Sequence, residues 1–136
     1  MPVNDELGKR MKRYETVSQN SLMRRTPVII RIDGKAFHTF TKHLEKPWDK
    51  ILRGAMDNTM LLLARDIQGC VFAYNQSDEI SLVLTDYETL TTDAWFGYEV
   101  EKLCSISASM ATLYFNKEFR RLAEQEIWDW HHSLTP

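Results

Sequence analysis

The chain has 136 residues, of which 43% are hydrophobic and 26% charged, the make-up of one ordinary globular domain. A net charge of −2 argues against a strongly basic nucleic-acid sponge, although it leaves RNA open as a ligand. Cys70 and Cys104 stand isolated among apolar neighbours without a CxxC pair, which gives a zinc site little support and predicts two buried thiols in a reducing compartment.

The amino terminus, Met1 to Glu6, lacks the basic start and apolar stretch of a secretory leader, and no apolar run is long enough to span a bilayer; a cytoplasmic protein is expected. From Asp5 to about Val17 the sequence reads as a helix with a thin apolar stripe of Leu7, Met11, Tyr14 and Val17 or Ser18. Lys9, Arg10, Lys12, Arg13, Arg24 and Arg25 crowd this first segment, either as a patch for phosphates or as a solvated helix face. After a polar connection, Pro27 introduces Val28-Ile29-Ile30-Arg31-Ile32-Asp33, a β-branched run ended by Gly34 that predicts a strand.

From Trp48 the apolar positions Ile51, Leu52, Ala55, Met56, Thr59, Leu62, Leu63 and Ile67 keep the rhythm of a long amphipathic helix. Pro47 and Asp49 suit its first turn and Gly69 its C-cap. The runs Cys70 to Tyr74 and Glu79 to Leu84, joined by polar Asn75-Gln76-Ser77-Asp78, predict a hairpin. Beyond a polar stretch from Thr85 to Asp93, a second long helix carries Val100, Leu103, Cys104, Ser107, Met110, Ala111, Tyr114 and Phe115 on one face. The order predicts an α+β layer over residues 1–136: a β-α-β-β-α ferredoxin-like unit of the polymerase palm type, an antiparallel sheet covered by helices and lacking its last strand. That fold hosts many activities, so function must come from a site.

The chemistry gathers where strands end. Asp33 closes the first strand and Asp78, with Glu79 beside it, sits at the hairpin tip; pairing of the strand with the hairpin brings these carboxylates to one rim of the sheet. Two adjacent carboxylates repel, and a divalent ion resolves the repulsion. Mg2+ takes a few carboxylates plus substrate phosphates, and two such ions form the clamp of in-line nucleotidyl transfer. Gly34-Lys35-Ala36-Phe37-His38 follows the strand directly as a potential anion nest for a triphosphate, with Lys42, Lys46 and Ser77 as candidates for the outer phosphates. Each residue also has a plain structural reading: Asp-Gly and Ser-Asp are turn signals, and His38 or Lys46 could face solvent.

Arg31-Ile32-Asp33-Gly34-Lys35-Ala36-Phe37-His38 resembles the Asp-Gly-x-x-Phe-His signature of tRNA-His guanylyltransferases, and Tyr74 to Ser81 is similar to that family's second metal motif. The resemblance covers about Asp5 to Phe119, and the opening Asp5 to Lys12 looks like the guanylyltransferase-like branch that repairs truncated tRNA 5′ ends. It implies a Mg2+-dependent nucleotidyltransferase running 3′ to 5′: ATP or GTP activates the tRNA 5′ end, and the 3′-hydroxyl of an incoming nucleotide attacks it. Asp33 and Asp78 would hold two Mg2+ ions with the Gly34 carbonyl; Gly34 to His38 with Ser77 would hold the triphosphate, Lys46 would serve activation, and Glu79 would support the site. Family tetramers imply a homo-oligomer, dimer or tetramer.

Family members are longer, with a His-Ile-Asn-Asn-type motif and further strands that have no counterpart here, so the chain is expected to be the N-terminal half, a fragment or a truncation. The tail from Glu124 to Trp130 reads as a helix suited to pack against something. Two other functions remain open: a non-catalytic nucleotide- or RNA-binding module, and another palm-type enzyme such as a nucleotide cyclase, which would turn over GTP without RNA.

Overall fold

The computed structural model describes residues 5–44 and 49–134. The first helix, α1 (Asp5–Thr16), packs against no other element. Strand β1 (Val28–Asp33) leads into a short helix, α2 (Phe37–Phe40), then a 3-10 turn, then the long helix α3 (Lys50–Asp66). Strands β2 (Cys70–Gln76) and β3 (Glu79–Leu84) follow, and a 3-10 turn over Trp95–Tyr98 delivers the chain to α4 (Val100–Ser133).

The three strands order as β1-β3-β2, each pairing antiparallel to its neighbour. Alternation of side chains decides which face is covered. Val28, Ile30, Ile80, Leu82 and Leu84 point to the helices and are buried. They meet Ala55, Met56, Thr59 and Leu63 of α3, and Leu103, Ser107 and Ala111 of α4. On the opposite face Ile29, Phe72 and Tyr74 are exposed, so helices cover one side only. This is the expected α+β layer, a ferredoxin-like arrangement with β1 at an edge.

Helix α3 starts where Asp49 accepts a hydrogen bond from the Leu52 N–H at 2.8 Å, an N-cap that satisfies one orphan donor. Its C-cap is Ile67, and Gly69 instead serves the turn that follows. There φ is +81°, and a Cβ would lie 2.5 Å from the Thr85 carbonyl oxygen, so a side chain is excluded twice. The hairpin link narrows to Ser77-Asp78, because Asn75 and Gln76 continue the ladder opposite Ile80 and Glu79.

Two expectations need correction. Cys104 is exposed and Cys70 only half-buried, because the buried stripe of α4 runs Leu103, Ser107, Ala111 and leaves Cys104 beside it. The polar stretch from Thr85 to Asp93 is also more than a connection, since Asp86 within it is buried, and the turn that follows it adds to the core. Trp95 and Tyr98 are buried, and segment 20–22 ties to them through Leu22 N–H donating to the Tyr98 carbonyl at 3.0 Å and Val100 N–H donating to the Asn20 carbonyl at 2.8 Å.

Below the start of β1, the Asp86 carboxylate is fully buried. It accepts from the Arg24 guanidinium and from the Arg25 backbone N–H at 2.9 Å. The Arg25 guanidinium in turn donates to the carbonyls of Asp86, Thr89 and Leu90. Burial pushes the Asp86 carboxyl pKa up, but the Arg24 and Arg25 donors outweigh it and hold it below the usual carboxylate range. Two of the basic residues offered as a patch for phosphates therefore build the fold.

Candidate active site

The antiparallel register sets Asp33 directly opposite Glu79, and the ladder continues one step further as the Gly34 N–H donates to the Asp78 carbonyl at 3.0 Å. That single backbone bond places the end of β1 against the hairpin tip. Gly34 is confined there: a Cβ would come 2.5 Å from Cδ2 of Phe37 and 3.2 Å from the Cβ of Asp78. Close approach, and not a positive φ, is why glycine is needed at this point.

Asp33 and Asp78 line one cavity of about 750 Å³, together with Gly34, Lys35 and Phe37. Among the described residues neither carboxylate has an ion pair or side-chain hydrogen bond. Glu79 does, with Arg31 Nη2 2.9 Å from its Oε2. Like charges opposite one another weaken a sheet, and Arg31 offsets only the Glu79 half of the Asp33–Glu79 pair. Among the described residues no set of three or more His, Cys, Asp or Glu side chains converges on a common point. Any metal here must complete its shell from backbone, water or substrate oxygens.

The turn after β1 is held by aromatic packing. Phe37 meets Phe40 and Phe115 at 5.4 Å between centroids, and Phe40 meets Phe119 at 5.6 Å. These rings pin α2 to α4 and so fix the path of Gly34, Lys35 and Ala36. Ala36 and Ser77, one on each side of the site, both adopt the left-handed region, with φ of 53° and 57°. Non-glycine residues are uncommon there. Lys35, Ala36, His38 and Ser77 are exposed. Lys46 lies outside the described residues.

Some lining residues carry no recognisable motif. Thr112, Asn116 and Arg120 face the cavity from α4. Their spacing of four puts them on one helical row beside the aromatic one, the only sequence signal that could have found them. On the α3 side, Asn75 Nδ2 donates to Asp57 Oδ1 at 2.8 Å, tying β2 to that helix two residues before Ser77.

Comparison with known proteins identifies the family. The family model for tRNAHis guanylyltransferase matches residues 8–133. The tRNA(His) guanylyltransferase of Schizosaccharomyces pombe is 32% identical over 114 residues, covering 80% of this chain and 41% of the yeast protein. That of Eremothecium gossypii is 31% identical over 111 residues, covering 77% of this chain and 43% of the relative. Among solved structures, a bacterial tRNA(His) guanylyltransferase-like protein in complex with GTP superposes with a TM-score of 0.78 at 49% identity, over 85% of this chain and 53% of the other. A complex of such a protein with ATP superposes with a TM-score of 0.80 at 47% identity, over 87% and 52%. The chain spans about half the length of the relatives it matches. With the family model matching residues 8–133 and relatives such as these, the chain belongs to the tRNAHis guanylyltransferase (Thg1) family.

Proposed function

We propose that this chain is the metal- and nucleotide-binding core of a Mg2+-dependent nucleotidyltransferase that adds nucleotides in the 3′–5′ direction to the 5′ end of tRNA. One observation carries the reading: Asp33 and Asp78 open onto a common cavity, and among the described residues neither forms an ion pair. Mg2+ fits that donor set, since it binds through one or two carboxylates and takes its other oxygens from substrate phosphates and water. Asp33 and Asp78, with the Gly34 carbonyl, would hold two ions. When bound, the ions supply charge neutralisation for the triphosphate and the leaving group.

The chain's own groups bind and orient. The turn from Gly34 to His38, whose Gly34 N–H is already given to the Asp78 carbonyl, would offer its other backbone N–H groups and the cavity-lining Lys35 ammonium to phosphate oxygens, and the exposed Ser77 would add a hydroxyl from the hairpin tip. The Phe37 and Phe40 rings, locked against α4, keep that turn from relaxing when a polyanion docks. Glu79 supports the site from its ion pair with Arg31. Catalysis on this plan is positioning and electrostatics, with no covalent role for a side chain. GTP and ATP as ligands are supported by the nucleotide-bound neighbours, and tRNA as a substrate by the relatives' stated activity.

Titrating GTP with and without Mg2+ tests the core of the reading. Asp33→Ala and Asp78→Ala should each abolish Mg2+-dependent binding while leaving the far-ultraviolet circular dichroism unchanged; normal binding by both variants would refute it. The alternative outcome is a binding module without turnover. Incubation with 5′-truncated tRNA, ATP, GTP and Mg2+ separates the two, since only the enzyme lengthens the RNA. Turnover of GTP without RNA would point to a cyclase instead.

A further inference from the structure

The hairpin tip that presents Asp78 is strained. Ser77, just before it, has a φ of 57°, in the left-handed region that a non-glycine residue keeps only where its surroundings fix it. From one side β1 fixes the tip, through the Gly34 N–H donating to the Asp78 carbonyl. The other side is β2, the outermost of the three strands, which pairs with β3 alone and carries an irregularity between Cys70 and Phe72. An outer strand whose ladder is interrupted bends easily, so its end needs a second fastening.

Asn75 supplies it. Cys70 and Ala73 of β2 pack against the core, and Asn75 comes next on that covered side, where alternation calls for an apolar residue. It is half-buried, and its Nδ2 donates to Oδ1 of Asp57 on α3 at 2.8 Å. A hydrogen bond to a carboxylate, partly withdrawn from water, is among the stronger kinds. The turn of α3 that carries Asp57 is itself firmly seated. Ala55, Met56 and Thr59 around it are buried, and the adjacent Asn58 donates to Oε2 of Glu118 on α4 at 2.8 Å. Met56 and Thr59 line the same cavity as Asp33 and Asp78, so this turn of α3 and the hairpin tip border one space.

We infer that Asp57 and Asn75 are a positioning pair for the metal site: by fastening the end of β2 to the α3–α4 layer, they keep the Asp78 carboxylate where it shares Mg2+ with Asp33. Neither is among the described residues that line the cavity, so they act through the backbone from Asn75 to Asp78 and not by touching the ion or the nucleotide. The inference rests on the metal-dependent binding proposed for Asp33 and Asp78. It adds a determinant of metal affinity on α3, outside both sequence motifs.

Mg2+ titrations of GTP binding by the full chain, at fixed GTP and well below the melting temperature, test this. Asn75→Asp sets two carboxylates against each other and should raise the Mg2+ concentration for half-maximal binding about tenfold, the low end of the loss when a group supporting a metal ligand is removed. Saturating Mg2+ should bring GTP affinity back, because the nucleotide's own contacts are intact. The direction is diagnostic, since an added negative charge acting through its field alone would attract Mg2+ and lower that concentration. Adding Asp57→Asn exchanges donor and acceptor at unchanged net charge, and should return the Mg2+ requirement to that of the wild type. Asn75→Leu, suited to the covered side of a strand, should raise the requirement as well, and Asp57→Asn should not rescue it. An unchanged or lowered requirement in either folded single variant, or a reversed pair that fails to restore it, would overturn the inference alone. A wild type whose GTP binding ignores Mg2+ would overturn the reading of Asp33 and Asp78 together with it.

Discussion

At one end of the β1–β3 pair, Asp86 is sealed beneath the chain with its carboxylate oxygens taken up by Arg24 and the Arg25 N–H. At the other end, Asp33 and Asp78 stand over a cavity and accept nothing from any described side chain. The two ends are built from the same strands and the same residue type, and they differ in whether the protein completes the charge itself. A carboxylate completed internally holds the fold together. A pair left incomplete is a place where an outside cation lowers the energy, and that difference separates a structural aspartate from a ligand-binding one more reliably than burial does.

The sharpest way to break this comparison is to delete each acid in turn. Asp86→Ala should lower Tm by several degrees, because it removes the buried acceptor shared by the Arg24 guanidinium and the Arg25 N–H, and should leave nucleotide affinity unchanged in the protein that remains folded. Asp33→Asn or Asp78→Asn should do the reverse, leaving stability within about 0.5 kcal/mol or slightly raised while removing Mg2+-dependent GTP binding. Thermal melts beside binding titrations check both halves, and a severe stability loss at Asp33 or Asp78 would erase the distinction.

Each end also has one glycine wedged into place, and their substitution should differ. Gly69→Ala meets the rigid Thr85 carbonyl at a positive φ and should cost about 1–2 kcal/mol in chemical denaturation. Gly34→Ala meets Cδ2 and Cγ of Phe37, a ring held against Phe115, so it should cost stability as well and, unlike Gly69→Ala, should weaken nucleotide binding when the turn shifts.

Acid titration probes the carboxylates completed by the protein. Hydrogen bonds from Arg65 and then Tyr114 hold the Asp66 carboxyl at about 2. Its folded value lies below its unfolded one, so its stabilisation is fully present above about pH 4 and is lost as the pH falls toward that folded value. Asp66→Asn should therefore lower stability at neutral pH and flatten the acid limb of the stability curve, converging with the wild type at low pH.

The smallest effect concerns the thiols. Burial pushes the Cys70 thiol pKa up, whereas Cys104 is exposed on α4. An alkylating reagent at neutral pH should modify Cys104 first, as mass spectrometry of the digested chain would report.

Much of this was legible in the residues. The β-branched run from Val28 to Asp33 and the rhythm from Ile51 to Ile67 made their elements plain, since each side chain's fate depends on a period of two or of 3.6 within the segment itself. The Asp-Gly and Ser-Asp pairs fell at strand ends as expected, and the ladder carried them together. The exposure of Cys104 was hidden, because periodicity limits a helical face only to within a residue or so and the packing partner selects the stripe. The buried role of Asp86 was hidden too, for nothing local distinguishes it from the surface acids around it.

The sequence by itself determined the elements, their order, and the residue types waiting at the strand ends, because those follow from short-range sterics and from where apolar side chains recur. Only the tertiary structure decided which acid was neutralised from within and which two were left facing a cavity. That choice depends on residues far apart in sequence meeting at the two ends of the β1–β3 pair, Arg24 with Asp86 at one and Gly34 with Asp78 at the other, and no local pattern records such meetings.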